Sequence, residues 1–99
     1  MDIRIQSIHF DADRKLEEFV SRKVSKLETY FNHIVDAEVF LKLENDGSQV
    51  RDKVAEIRVN VPGQTLFATE KTKQFEESVD LAAESLRRQI RRYKDKIKK

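Results

Sequence analysis

The stretch LRRQIRRYKDKIKK, residues 86–99, carries eight Lys or Arg side chains against a single acid, Asp95. Guanidinium and ammonium groups stay charged at neutral pH and donate several hydrogen bonds each, so grouped in this way they are equipped to hold phosphate. Their spacing is helical. Arg88 and Arg92 stand four apart, with Lys96 and Lys99 continuing the line, while Arg87, Arg91, Lys94 and Lys98 flank the other side of an apolar seam. Cations are favoured by a helix dipole only within the last turn, and Arg87 and Arg88 lie well before it. Like charges four apart repel by a few tenths of a kcal/mol, roughly, so local helix stability disfavours the pattern. A polyanionic partner accounts for it. A weaker second set, Arg22, Lys23 and Lys26, gains meaning only if the fold brings it beside the first.

The charge is segregated along the chain. Residues 1–86 hold 12 basic and 17 acidic side chains, a balance of −5, and residues 87–99 hold eight and one, a balance of +7; together they give the net +2. Such a split points to a polyanion met at one end of the molecule rather than to indiscriminate coating of nucleic acid.

Other chemistries find little support. The absence of cysteine excludes disulfides and thiolate metal sites. His9 and His33 flank the first helical segment and could share a metal only if the fold joined them. No phosphate-binding glycine loop and no nucleophile–base set is readable, and carboxylates such as Glu17 and Glu18 follow helix-surface spacing. Neither enzymatic activity nor a cofactor or small-molecule substrate is expected. MDIRIQSIHF lacks a basic leader followed by a long apolar run, and no stretch approaches the roughly twenty apolar residues of a membrane span, so a cytoplasmic protein with no membrane partner is expected.

The elements that must position the cations follow from periodicity. Ile3 and Ile5 alternate with Arg4 and Gln6, predicting a first strand over residues 3–7. Asp13 is a good N-cap for a helix in which Leu16, Phe19, Val20, Val24, Leu27, Tyr30 and Phe31 form one apolar stripe ending near Asn32. Period two returns at Val35, Ala37, Val39, Leu41 and Leu43, and again, after the turn chemistry of NDGS at 45–48, at Ala55, Ile57, Val59 and Val61. Pro62 and Gly63 predict a tight turn into a fourth strand, Thr65 to Glu70, with Leu66 and Ala68 inward and Phe67 outward. Thr72 can cap a final helix whose seam is Phe75, Val79, Ala82, Leu86, Ile90, Tyr93 and Ile97. At 1.5 Å per residue that helix runs about 34 Å, longer than the strands, so its basic end should overhang the sheet.

Ninety-nine residues predict one domain, 1–99. The order strand, helix, three strands, helix predicts a two-layer α+β fold, β-α-β-β-β-α. Its four-stranded mixed sheet has a parallel first pair and both helices on one face. A helix-on-sheet domain without a helix-turn-helix favours RNA over DNA. Phe40 and Phe67 on the far face of the sheet could stack bases, although the signatures of RNA recognition motifs are missing and a partner surface or partial burial explains them as well. A salt-sensitive protein-interaction module, or a general RNA-binding domain, stays open.

The segments KLEEFVSRKVSKLETYF, VFLKLE and the terminal LRRQI and YKDKIKK resemble the short ribosome hibernation-promoting factors of bacteria, also called ribosome-associated inhibitors, along nearly the whole chain. The resemblance implies the same β-α-β-β-β-α fold. It implies as partners the small ribosomal subunit and its ribosomal RNA, with the domain lodged in the channel of messenger and transfer RNA, where it blocks translation and preserves idle ribosomes without performing chemistry. Position by position it puts Lys23, Lys26, Arg88, Gln89, Arg92, Lys94 and Lys96 in the RNA-facing set and Asp80 and Leu86 in the helix framework. The chain departs from the family at Glu76, where an aromatic is usual, and at Ser85, where lysine is common. The dimerisation domain of long members is not in this sequence, so ribosome pairing through it is not expected; self-association of the free protein is left open.

Overall fold

The computed structural model describes residues 1–44 and 52–97; the expected NDGS turn and the cations Lys98 and Lys99 lie outside the described residues. The elements are β1 (Asp2–Ile8), α1 (Arg14–Ser25), a 3-10 turn (Lys26–Thr29), β2 (Asp36–Glu44), β3 (Asp52–Val61), β4 (Gln64–Thr72) and α2 (Phe75–Ile97). The sheet order is β1-β2-β3-β4, with β1 parallel to β2 and the other pairs antiparallel. This is the expected mixed sheet of an α+β fold.

One core joins the layers. Ala37, Val39 and Leu41 of β2, Ala55, Ile57, Val59 and Val61 of β3, and Leu66 and Ala68 of β4 pack against Val20, Val24 and Leu27 from the first helical segment and Val79, Ala82, Leu86 and Ile90 from α2. Period two on the strands and period 3.6 on the helices therefore meet on one sheet face. Asp13 caps α1 as expected, its carboxylate accepting the Leu16 N–H at 2.8 Å. Gly63, at φ 88°, supplies the positive φ that the Pro62–Gly63 turn requires.

Four details differ from expectation. Val35 is exposed and precedes β2, because Ile34 beside it takes the buried place; the Val35 N–H still donates to the Asn60 carbonyl at 2.8 Å. The first helix tightens into the 3-10 turn after Ser25, and Tyr30 leaves the apolar stripe for the surface. Thr72 ends β4 and is not the helix cap in the strict sense, since α2 begins at Phe75; its hydroxyl accepts the Gln74 N–H at 3.1 Å. The overhang of α2 is shorter than its length suggests. Tyr93 is still buried, its hydroxyl donating to the Pro62 carbonyl at 2.6 Å, so only the described turn beyond it, Lys94–Ile97, projects past the sheet.

The polar partner of this seam is Ser78. It is fully buried, and its hydroxyl lies 2.6 Å from the Lys53 carbonyl and 2.8 Å from the Thr72 hydroxyl, tying the opening of α2 to β3 and to the end of β4. Phe10, in the segment leading to α1, stacks on Phe75 with ring centroids 4.8 Å apart. The starting ends of both helices are thereby held together, with α2 tied there to the sheet.

Candidate nucleic-acid interface

The apolar seam of α2 is buried from Phe75 to Tyr93, whereas Ile97, expected to continue it, is exposed because the helix has passed the end of the sheet; the cations emerge along the two flanks and across the outer surface between them. On one flank Arg87, Arg91 and Lys94 face the end of the first helical segment, where they line a cleft of about 280 Å³ with Tyr30, Ile90 and Asp95. On the other flank Arg92 and Lys96 line a shallower groove with Gln89, Tyr93 and the start of β4. Arg88 stands exposed on the outer surface between them.

The second cationic set joins the first. Lys23 and Lys26 share a groove with Tyr30, Asp80, Glu84 and Arg87, contiguous with the larger cleft through Tyr30 and Arg87. Both helices had to pack on the same sheet face for this, and the sheet order places them side by side. Arg22 points further out: its guanidinium lies 5.6 Å from the Phe19 ring, and it lines neither groove.

Not every cation is free. The Lys23 ammonium lies 2.8 Å from the Asp80 carboxylate and 5.6 Å from the Phe19 ring centroid. Arg87 pairs with Glu84 at 2.5 Å, and this hydrogen bond holds the Glu84 carboxyl below the ordinary carboxylate range while raising Arg87. Arg88 adds a smaller electrostatic pull on Glu84. Among the described residues, Arg22, Lys26, Arg88, Arg91, Arg92, Lys94 and Lys96 make no ion pair with the protein's own acids. These seven cations, spread over the outer surface and both flanks of α2 and the exposed side of α1, make a surface suited to phosphate.

Gln89 is occupied differently. Its amide nitrogen donates to the Phe67 carbonyl at 2.8 Å and to the Ser85 hydroxyl at 3.2 Å, clasping α2 to the free edge of β4. Ser85 is thus part of that clasp. The amide oxygen is what Gln89 can still offer to a ligand.

The far side of the sheet has a different character. Phe67 is 60% exposed there, and Phe40 lies under the Arg58 guanidinium at 5.3 Å. Arg58 is also paired with Glu56, and Arg4 with Asp36, so this face mixes both signs of charge. His9 and His33 sit at opposite ends of the β1–β2 pair, since Ile8 aligns with Lys42 and Asp2 with Asp36. The fold separates them. Among the described residues no group of three or more metal-ligating side chains forms, and no helix is long and apolar enough to cross a membrane.

Sequence reasoning missed Tyr30, which it counted as core. The signal was present: Tyr30 and Phe31 are consecutive aromatics, and only Phe31 continues the four-residue step from Leu27. Phe31 is the buried one, meeting the Tyr93 ring edge-on at 5.3 Å, and Tyr30 is 42% exposed between the two cationic sets.

Known proteins resemble this chain along its whole length. A family model described as Sigma 54 modulation protein / S30EA ribosomal protein matches residues 3–98. The chain is 32% identical to the ribosome hibernation promotion factor of Bacillus subtilis over 98% of its own length and 50% of that protein's, so it spans about half of that relative. It is 30% identical to the ribosome hibernation promoting factor of Salmonella typhimurium, covering 99% of this chain and 98% of that one. A ribosomal subunit interface protein from Coxiella burnetii shares the fold, with a TM-score of 0.84 at 21% identity over 96% of this chain and 99% of that chain.

Proposed function

The chain belongs to the Sigma 54 modulation protein / S30EA ribosomal protein family, and from that premise we propose that it is a ribosome hibernation factor. Residues 1–99 act as one ribosome-binding unit in the cytoplasm. The cations of α1 and α2 hold ribosomal RNA of the small subunit, and the body of the domain fills the channel of messenger and transfer RNA. Translation is inhibited by occupancy, and idle ribosomes are preserved. No catalytic step is required of any residue.

The observation that supports this reading best is the merging of two cationic sets distant in sequence, Lys23 and Lys26 lining contiguous grooves with Arg87, Arg91 and Lys94, while among the described residues Arg88, Arg92 and Lys96, elsewhere on α2, make no ion pair. Each such cation that meets a phosphate releases condensed counterions, so affinity should depend steeply on salt. The acidic balance of the rest of the chain opposes binding by other faces.

Cosedimentation with purified small subunits across a salt series tests the proposal. With about six phosphates neutralised, log affinity should fall against log salt with a slope of roughly −4 to −5. Changing Arg88, Arg92 and Lys96 together to Glu should abolish binding while the variant still melts cooperatively. Full binding by that folded triple variant would overturn the interface assignment. Survival of the complex after ribonuclease digestion of the RNA would instead favour a protein partner.

A further inference from the structure

Tyr30 is the one large aromatic that the described part of this surface exposes among its cations. It follows the 3-10 turn, where its N–H donates to the Leu27 carbonyl at 3.1 Å, and the neighbouring Thr29 hydroxyl bonds the Lys26 carbonyl at 2.7 Å. The backbone is therefore held, and Phe31 has already taken the core position. Leaving a ring of this size 42% exposed gains nothing for folding. Its surroundings are specific: Arg87, Arg91, Lys94 and Asp95 on one side, Lys23 and Lys26 on the other.

We propose that Tyr30 is a stacking platform for one unpaired base of an RNA strand, whose flanking phosphates are taken by Arg91 and Lys94 on α2 and by Lys26 beyond the ring. Every base has a π-face, and aromatic side chains set in a basic groove bind single strands by stacking on it. The cleft beside the ring, about 280 Å³, is small for a drug-sized ligand and of a scale for one nucleotide. Asp95 at its wall argues against a bare phosphate as occupant, because a carboxylate repels it; a ribose hydroxyl or an exocyclic amine would instead donate to Asp95. Basic groups on both sides of the ring let the strand run through the site rather than end in it. A paired A-form helix offers no free base face, so the site selects loops, bulges or single strands.

This inference rests on the proposed RNA-facing role of the surface and adds to it a contact that is not electrostatic. Binding of small subunits would be measured for the wild type, Tyr30→Phe, Tyr30→Leu and Arg91→Gln, each over a salt series and each with a thermal melt. Tyr30→Phe should bind like the wild type, since the ring is kept. Tyr30→Leu should lose about five- to 150-fold with an unchanged salt slope, because no phosphate contact has gone. Arg91→Gln should lose affinity and flatten the slope by roughly 0.7 to 0.9. Equal binding by Tyr30→Leu and the wild type overturns the stacking role while leaving the proposed function standing. So does an equal loss in Tyr30→Phe, which would assign the effect to the hydroxyl. Failure of the wild type to bind at all overturns both.

Discussion

Lys23 and Asp80 bear on both the fold and the proposed interface. Their 2.8 Å contact joins α1 to α2, yet Lys23 is 31% and Asp80 53% exposed, so the pair is worth about 0–1 kcal/mol to stability. Its larger effect is on the electrostatics of the groove, where Asp80 is an acid among cations. Asp80→Asn should leave the melting temperature nearly unchanged and tighten small-subunit binding by about two- to fivefold, a gain on the scale of an exposed ion pair. Lys23→Gln should weaken it. A double-mutant cycle on both properties separates the two roles, and weaker binding by Asp80→Asn would show that the pair positions Lys23 rather than restraining it. Tyr30 carries a related lesson: residue type named it as apolar, and only the competition with Phe31 for one core place put it on the surface.

At the scale of elements, the cations are placed by how α2 is seated. Leu86 and Ile90 fill the core, Tyr93 bonds the β3–β4 turn, and Ser78 anchors the other end. Ser78→Ala removes the donor to the Lys53 carbonyl in a fully buried site, which should cost about 1–3 kcal/mol. Urea or thermal melts should register that loss, with a drop of about 4–8 °C per kcal/mol for a domain of this size. Subunit affinity measured well below the transition should stay within about twofold of the wild type, since Ser78 lies near the start of α2, away from the cations at its far end. A melting temperature equal to the wild type would mean that this hydroxyl does not tie the helix to the sheet. The seam of α2 was legible as a period of 3.6, and the strand faces as a period of two, because burial on one side imposes those periods. Ser78 was not, because a small polar residue interrupts the pattern and its acceptor, the Lys53 carbonyl, comes from β3, 25 residues away.

Over the whole molecule, charge is sorted toward one end of an elongated body, with principal extents of 51 × 24 × 18 Å. Under the proposed function, the acidic remainder limits how many orientations hold RNA well, so specificity would arise from repulsion as well as attraction. Substituting Asp11→Asn, Glu38→Gln and Glu70→Gln together takes the balance of residues 1–86 from −5 to −2, since three negative charges are removed. Filter binding to polyuridine should then tighten more than binding to small subunits, narrowing the ratio between them. An unchanged ratio would mean that the remote acids play no part in selectivity.

The sequence alone determined the element order, the sheet's mixed topology, the buried faces and the concentration of cations in the last helix, because each is written as periodicity or composition along a continuous stretch. Tertiary structure decided which cations meet. Lys23 and Lys26 join Arg87 and Arg91 only when two helices pack side by side on one sheet face. The pairing of Lys23 with Asp80 and the clasp of Gln89 on Phe67 were likewise settled in three dimensions. These contacts depend on distances of a few ångströms between residues many positions apart, and local pattern carries no record of them.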